Sequence, residues 1–182
     1  MALRQAVVLC GGRGVRLRPL TDQVPKVMVR LCGRPVVEYI VEKLERLRVE
    51  EIALVVSYRR EAIMEYFGSR VKYCIQGSPM GTADALKAAR GFISSDKFAV
   101  IHGDIFFTDD LSWMLEEEPT VLSVYRVEDA SQYGVVDVGE DGLVRDIAEK
   151  SRPGPGLINA GIYLFSPEVL EVLDEVEVTH TR

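Results

Sequence analysis

The stretch that decides the fold is Ala6-Val7-Val8-Leu9-Cys10-Gly11-Gly12-Arg13-Gly14-Val15-Arg16-Leu17. Five apolar residues run without a break and then give way to three glycines in four positions. A short apolar run bounded by glycine is the pattern of a strand buried on both faces. Glycines placed directly after it let backbone N–H groups approach and cradle phosphate oxygens, and Arg16 adds charge. Neither standard phosphate motif fits: Leu17 stands where a dinucleotide fingerprint needs its third glycine, and the Gly-Lys-Ser/Thr of a P-loop is absent.

Outward from this stretch the alternation continues. Ile52–Ser57, Val71–Ile75 and Phe98–His102 are further Val- and Ile-rich runs that read as buried parallel strands. Between them Val36, Val37, Ile40, Val41, Leu44 and Leu47 recur at helical spacing, with Pro35 at the first turn. Arg59–Phe67, stopped by Gly68, and Thr82–Arg90, stopped by Gly91, repeat that periodicity. The order predicts an α/β fold of the Rossmann-like, doubly wound, mostly parallel type, which binds ligands at the carboxyl ends of its strands. After an expected helix over Asp109–Glu118 the texture turns β-rich. Val121–Val127, Gly134–Val138, Leu143–Ile147 and Leu157–Phe165 read as strands, Glu140-Asp141-Gly142 as a hairpin turn, and Ser166-Pro167 as the opening of a last helix.

Length and composition narrow the function. At roughly 150 residues per domain, 182 residues make one domain, here an alternating α/β part over 1–118 and a β-rich part over 119–182. With 47% hydrophobic and 27% charged residues the chain is globular, and disorder or a disulfide scaffold is excluded. The apolar run near the start is far shorter than the roughly 20 residues of a membrane span, and no cleavage site follows it. The expected location is the cytoplasm, with no membrane partner, and Cys10, Cys32 and Cys74 are expected as reduced thiols. Scarce amides, with a single asparagine and four glutamines, suggest a thermophilic source. The net charge of −6 argues against nucleic acid as a partner. Six cations against Asp22 alone between Cys10 and Arg34 nevertheless make a local basic segment suited to a small anion.

Read further, Leu9-x-Gly11-Gly12-x-Gly14-x-Arg16-Leu17-x-Pro19-Leu20-Thr21 followed by Pro25-Lys26-x-Met28 resembles the signature loop of the sugar-phosphate nucleotidylyltransferases. Gly81-Thr82-Ala83, Gly103-Asp104, Tyr133-Gly134-Val135-Val136, Glu149-Lys150 and Asn159-Ala160-Gly161 follow in the family's order. The resemblance implies transfer of a nucleotidyl group from a nucleoside triphosphate to a sugar 1-phosphate, with release of pyrophosphate and Mg²⁺ as cofactor. It places Leu9, Gly11, Gly12, Gly14, Gln76, Gly81 and Thr82 on the nucleotide, with Gln76 reading the base edge and Thr82 capping the next helix. It assigns Arg16, Lys26 and Asp104 to catalysis: Arg16 to the departing pyrophosphate, Lys26 to the charge at the reacting centre, and Asp104 to the metal. Gly134, Glu149, Lys150 and Asn159 fall to the sugar phosphate, so the resemblance makes 1–118 the nucleotide-binding part and 119–182 the sugar-binding part. Asp109 and Asp110 read as helix-starting acids, and His102 as a strand-end histidine.

Gln76 and Gly81-Thr82-Ala83-Asp84 resemble members that use a uridine or thymidine triphosphate with a glucose-type sugar, while guanosine and mannose members share most of this pattern. Family members usually carry a second metal-binding aspartate in a later segment, and this chain stops at His180-Thr181-Arg182. The expectation is a C-terminally incomplete or naturally short chain that folds and binds nucleotide with weakened turnover, and that self-associates through an uncovered apolar patch. A non-catalytic, nucleotide-binding regulatory subunit of the same fold is the alternative.

Overall fold

A computed structural model describes residues 3–77, 81–149 and 153–175, with Glu149 described by its backbone. Strand β1 (Gln5–Leu9) is followed by three short 3-10 turns, Val15–Leu17, Leu20–Asp22 and Lys26–Met28. A small hairpin, β2 (Arg30–Leu31) and β3 (Arg34–Pro35), then leads into helix α1 (Val36–Arg46). Strand β4 (Glu51–Val56), helix α2 (Arg60–Phe67), strand β5 (Lys72–Ile75), helix α3 (Thr82–Ala88) and strand β6 (Phe98–His102) complete the alternating region. The second part comprises α4 (Trp113–Glu116), β7 (Val121–Val127), β8 (Gly134–Val138), β9 (Val144–Glu149), β10 (Gly156–Phe165) and α5 (Val169–Glu175).

Strands β5, β4, β1 and β6 lie side by side and parallel. Alternation along each strand divides the core between the two faces of this sheet. Ala6, Val8, Ile52, Leu54, Val56, Ala99 and Ile101 pack on one side with Val37, Ile40, Val41 and Leu44 of α1 and Ile63 and Phe67 of α2. Val7, Val55, Phe98 and Val100 face the other side, against Ala85 and Leu86 of α3 and Leu173 of α5. The expected doubly wound arrangement is therefore present, and the four parallel strands coincide with the four apolar runs to within a residue or two at each end.

Beyond β6 the sheet changes character. β10 enters antiparallel to β6 through Ile162–Phe165, and its earlier part pairs β8 at Ile158. β7 runs along the opposite edge of β10, and the register shifts between Asn159 and Tyr163. Gly161 sits inside that shift at φ +76°, in the left-handed region that favours glycine, and a Cβ there would lie 3.0 Å from the His102 ring. One long bent strand thus joins the parallel region to the β8–β9 hairpin, whose turn contains Gly142 at φ +78°.

Four local expectations need correction. The helix expected over Asp109–Glu118 is a single turn, Trp113–Glu116. Asp110 Oδ1 accepts from the Ser112 N–H and delays its start, while Pro119 disfavours helical backbone at Glu118. The buried Lys97 ammonium donates to the carbonyls of Leu115 and Glu117 and closes the end. Pro35 is the residue before α1 rather than its first turn, because it belongs to the β2–β3 hairpin. Thr82 is the first helical residue of α3 and not its cap; Gly81 holds the cap position at φ +114°, a conformation threonine would resist. The last helix begins at Val169, after a turn in which Val169 N–H donates to the Ser166 carbonyl. Among the described residues no helix is long and apolar enough to cross a membrane.

Candidate active site

The carboxyl ends of β1, β4 and β6 converge, and the polypeptide turns back on itself after each. Cys10 N–H donates to the Val55 carbonyl and Gly103 N–H to that of Leu9, so the glycine loop and the Gly103-Asp104 turn leave adjacent strands side by side. Gly14 adopts φ +63°, and a Cβ there would stand 2.8 Å from the Cβ of Lys26. Thr21 Oγ1 donates to the Gly14 carbonyl at 2.7 Å. Close packing of Gly14 folds the loop onto the turn carrying Lys26 and aims the lysine across to Asp104, with which it forms an ion pair.

Two chambers open around that pair. The smaller, of about 560 Å³, is lined by Leu9, Gly11, Gly12, Gln76, Gly81, Thr82 and other residues including Lys26, His102 and Asp104. The larger, of about 1240 Å³, contains Gly14, Arg16, the aromatic rings of Phe106, Trp113, Tyr125 and Tyr133, and Asn159. Gly12, Lys26, His102 and Asp104 border both. A cation and a carboxylate therefore stand where the contents of the two chambers would meet.

Strand β10 borders the larger chamber and contacts His102. Asn159 Nδ2 donates to Tyr163 Oη at 2.8 Å, Asn159 Oδ1 accepts from the Gly161 N–H at 2.9 Å, and Tyr163 Oη lies 3.5 Å from His102 Nε2. Beyond these two bonds the Asn159 amide retains one N–H and one lone pair for a ligand. Burial holds the His102 imidazole below its ordinary pKa, with Lys26 adding to that effect and Asp104 opposing it. Burial likewise pushes the Cys10 thiol well up, reinforced by the Asp104 charge, so Cys10 is a protonated core side chain and no nucleophile. From α1, Lys43 donates to the carbonyls of Thr108 and Asp109, and Tyr39 packs edge-on against Phe106, tying down the segment that follows Asp104.

The structure thus brings together Leu9, Gly11, Gly12, Gly14, Arg16, Lys26, Gln76, Gly81, Thr82, Asp104 and Asn159 around the two chambers. Gly134 is not among the lining residues and pairs with the backbone of Glu149 in the β8–β9 ladder; the Glu149 side chain lies outside what the structure describes. Lys150 lies outside the described residues. His102, which borders both chambers, and Tyr163, which contacts His102 and Asn159 from behind them, were not assigned to the site by sequence reasoning. The signal available for His102 was its place two residues before Asp104 at a strand's carboxyl end. Among the described residues no three His, Cys, Asp or Glu side chains form a preformed metal cage.

A glycine loop, an opposed lysine and aspartate, and two adjoining chambers at the carboxyl edge of a doubly wound sheet define a nucleotide-handling transferase class. The nucleotidyl transferase family model matches residues 5–181, and the chain belongs to that family. It is 38% identical over 177 residues to the bifunctional protein GlmU of Methanocaldococcus jannaschii, across 96% of this chain and 43% of that protein. The chain accordingly spans less than half the length of that relative. It is 39% identical over 171 residues to the D-glycero-alpha-D-manno-heptose 1-phosphate guanylyltransferase of Campylobacter jejuni, across 91% of this chain and 77% of that protein. The crystal structure of HddC from Yersinia pseudotuberculosis complexed with GMP-PN superposes with a TM-score of 0.79 at 33% identity, covering 93% of this chain and 79% of that one.

Proposed function

We propose that the chain joins a sugar 1-phosphate to the α-phosphorus of a nucleoside triphosphate, giving a nucleotide sugar and pyrophosphate. The observation that carries this reading is the shared wall: Lys26 and Asp104 border both chambers, so substrates held in each would present reacting atoms to the same charged pair. The smaller chamber, with Gly11, Gly12 and Gln76, suits the nucleotide. The larger, with aromatic rings and Asn159, suits the sugar. Holding both substrates in line converts a two-body encounter into a positioned displacement, and the remaining demand is to stabilise charge on the transferring phosphoryl oxygens. Lys26 supplies a cation at that point, and Arg16, in the larger chamber beside Gly12 and Gly14, supplies a planar donor for the departing pyrophosphate.

The donor set fits Mg²⁺ as cofactor: one hard carboxylate, Asp104, beside space for phosphate oxygens suits an ion that keeps most of its waters. When bound, it would neutralise phosphate charge beside Lys26. A relative named for guanylyl transfer supports guanosine as the base, and Gln76 with the sequence pattern 81–84 supports uridine or thymidine. A matrix of nucleoside triphosphates against glucose, N-acetylglucosamine and mannose 1-phosphates separates these. Pyrophosphate release should require both substrates and Mg²⁺, and Asp104→Ala should lower it by about 10²–10³-fold. Tight nucleotide binding in calorimetry with no pyrophosphate release under any pairing would favour a regulatory subunit instead.

A further inference from the structure

Gln76 is fixed on every side. Its N–H donates to the Val56 carbonyl at the end of β4, and the next carbonyl, that of Gly77, accepts from Ser57 Oγ. Only 4% of the residue is exposed, and it borders the smaller chamber. The carboxamide oxygen occupies the space a side chain on Gly11 would need, so the glycine loop and the glutamine interlock. The carboxamide nitrogen donates to Asp84 Oδ2 at 2.6 Å, from the first turn of α3.

That last bond decides which way the amide faces. The two ends of a carboxamide have nearly the same shape, and only their partners determine which is oxygen and which is nitrogen. A carboxylate accepts and does not donate, so Asp84 admits the NH₂ end alone. Turning the amide over would set its oxygen against the carboxylate, two acceptors in contact within a buried site. Among the described residues the one fully buried side-chain polar atom without a partner is Glu38 Oε2, so the Gln76 oxygen, with no protein donor on it, reaches the chamber.

We propose that Asp84 is a positioning residue that locks the Gln76 carbonyl toward the chamber and thereby selects the base. A carbonyl that cannot turn favours a base whose ring nitrogen carries a hydrogen next to a carbonyl: the imide of uracil and thymine or the lactam of guanine. Cytosine and adenine present an acceptor at that ring position, so in the same seat they leave two acceptors facing each other, and donating from their exocyclic amino group instead requires the base to shift in the chamber. The inference rests on the reading that the smaller chamber holds the nucleoside triphosphate.

Calorimetric titration of the full chain with UTP, dTTP, GTP, CTP and ATP, in the wild type and in Asp84→Asn and Asp84→Ala, tests it. The wild type should bind at least one of the first three about 10–100-fold more tightly than CTP or ATP, the cost of an unmade buried hydrogen bond. Asparagine can donate as well as accept, so Asp84→Asn frees the amide to turn, and the ratio should fall by about 10-fold or more. Asp84→Ala removes the lock by another route and should move the ratio the same way. Both variants should melt cooperatively, and a change in the ratio between bases is a readout that general loosening of α3 would not produce. An unchanged ratio in folded variants that still bind nucleotide would overturn the lock and leave the transfer reading standing. Binding of none of the five nucleotides by the wild type would overturn both.

Discussion

In β1, β4 and β6 nearly every side chain is buried, on both faces of the sheet, whereas β7 leaves Tyr125 64% exposed and Val124 38% exposed, and β9 leaves Val144 and Ile147 open. The first group is covered by α1 and α2 on one side and α3 and α5 on the other. In the second, Val124 and Tyr125 line the larger chamber. Apolar residues in the two regions therefore answer to different demands. Those of the parallel region meet the packing of a closed core, and Val124 and Tyr125 of the antiparallel region face an open chamber.

The sharpest way to break this contrast is to truncate one residue from each region. Leu54→Ala, at the fully buried centre of β4, should cost about 2–5 kcal/mol of unfolding free energy, through lost transfer and the cavity left behind. Tyr125→Ala should change stability by only about 0.5 kcal/mol while weakening sugar-phosphate binding. Urea melts with parallel KM measurements check the pair; equal losses of stability would erase the distinction.

Gly161 tests the seam where the regions join. Gly161→Ala puts a side chain into left-handed backbone and against the His102 ring, and should cost about 1–3 kcal/mol in thermal or urea unfolding. Part of that cost is steric, so it should shrink in a His102→Ala background, and a double-mutant cycle would measure the share.

The smallest effect belongs to the outer surface of the parallel region. Arg70 hydrogen bonds hold the Glu45 carboxyl below its ordinary value of 4.5, against a smaller opposing effect of burial. A depressed carboxylate stabilises the fold above pH 4.5, and the contribution is lost as pH falls through the lower folded value. Both side chains are more than a third exposed, so solvent and salt screen the pair. Glu45→Gln should cost about 0.2–1 kcal/mol at neutral pH. The difference from wild type should fade in added salt and at acid pH; a difference that persisted in acid would show that the ion pair is not its source.

Legibility in the sequence followed the same division. The parallel strands were readable because burial on both faces leaves an unbroken run of Val, Ile, Leu and Ala, and each run ends at glycine or polar residues that mark a loop. Leu9, Gly11, Gly12, Gln76 and Asp104 were readable because they sit in or directly beside such endings, and Lys26 because it falls in the basic, motif-bearing segment that follows the first of them. The double duty of β10 was not, since one ten-residue apolar run carries no sign that it pairs three different strands. Nor was the role of Asp84, whose partner lies across a loop, or that of Tyr163, which meets His102 from 61 residues away. Helical spacing over 109–118 gave too long an α4, because the groups that stop it, Lys97 and Pro119, act from outside the periodic pattern.

β10 also sets the order in which the molecule can be assembled as it leaves the ribosome. Among the described residues it is the last strand to be made, yet it stands between β6 and β8 and carries β7 on its other edge. At about 5–20 residues per second the four parallel strands can close on one another while β7, β8 and β9 wait, on the order of seconds, for the strand that joins them. During that interval the free edge of β6 and the apolar side chains of β7 stand open to any extended segment that passes. The Ile162–Phe165 segment that ends this exposure belongs to the same strand that carries Asn159 into the larger chamber, so covering the β6 edge and building that side of the chamber are one event.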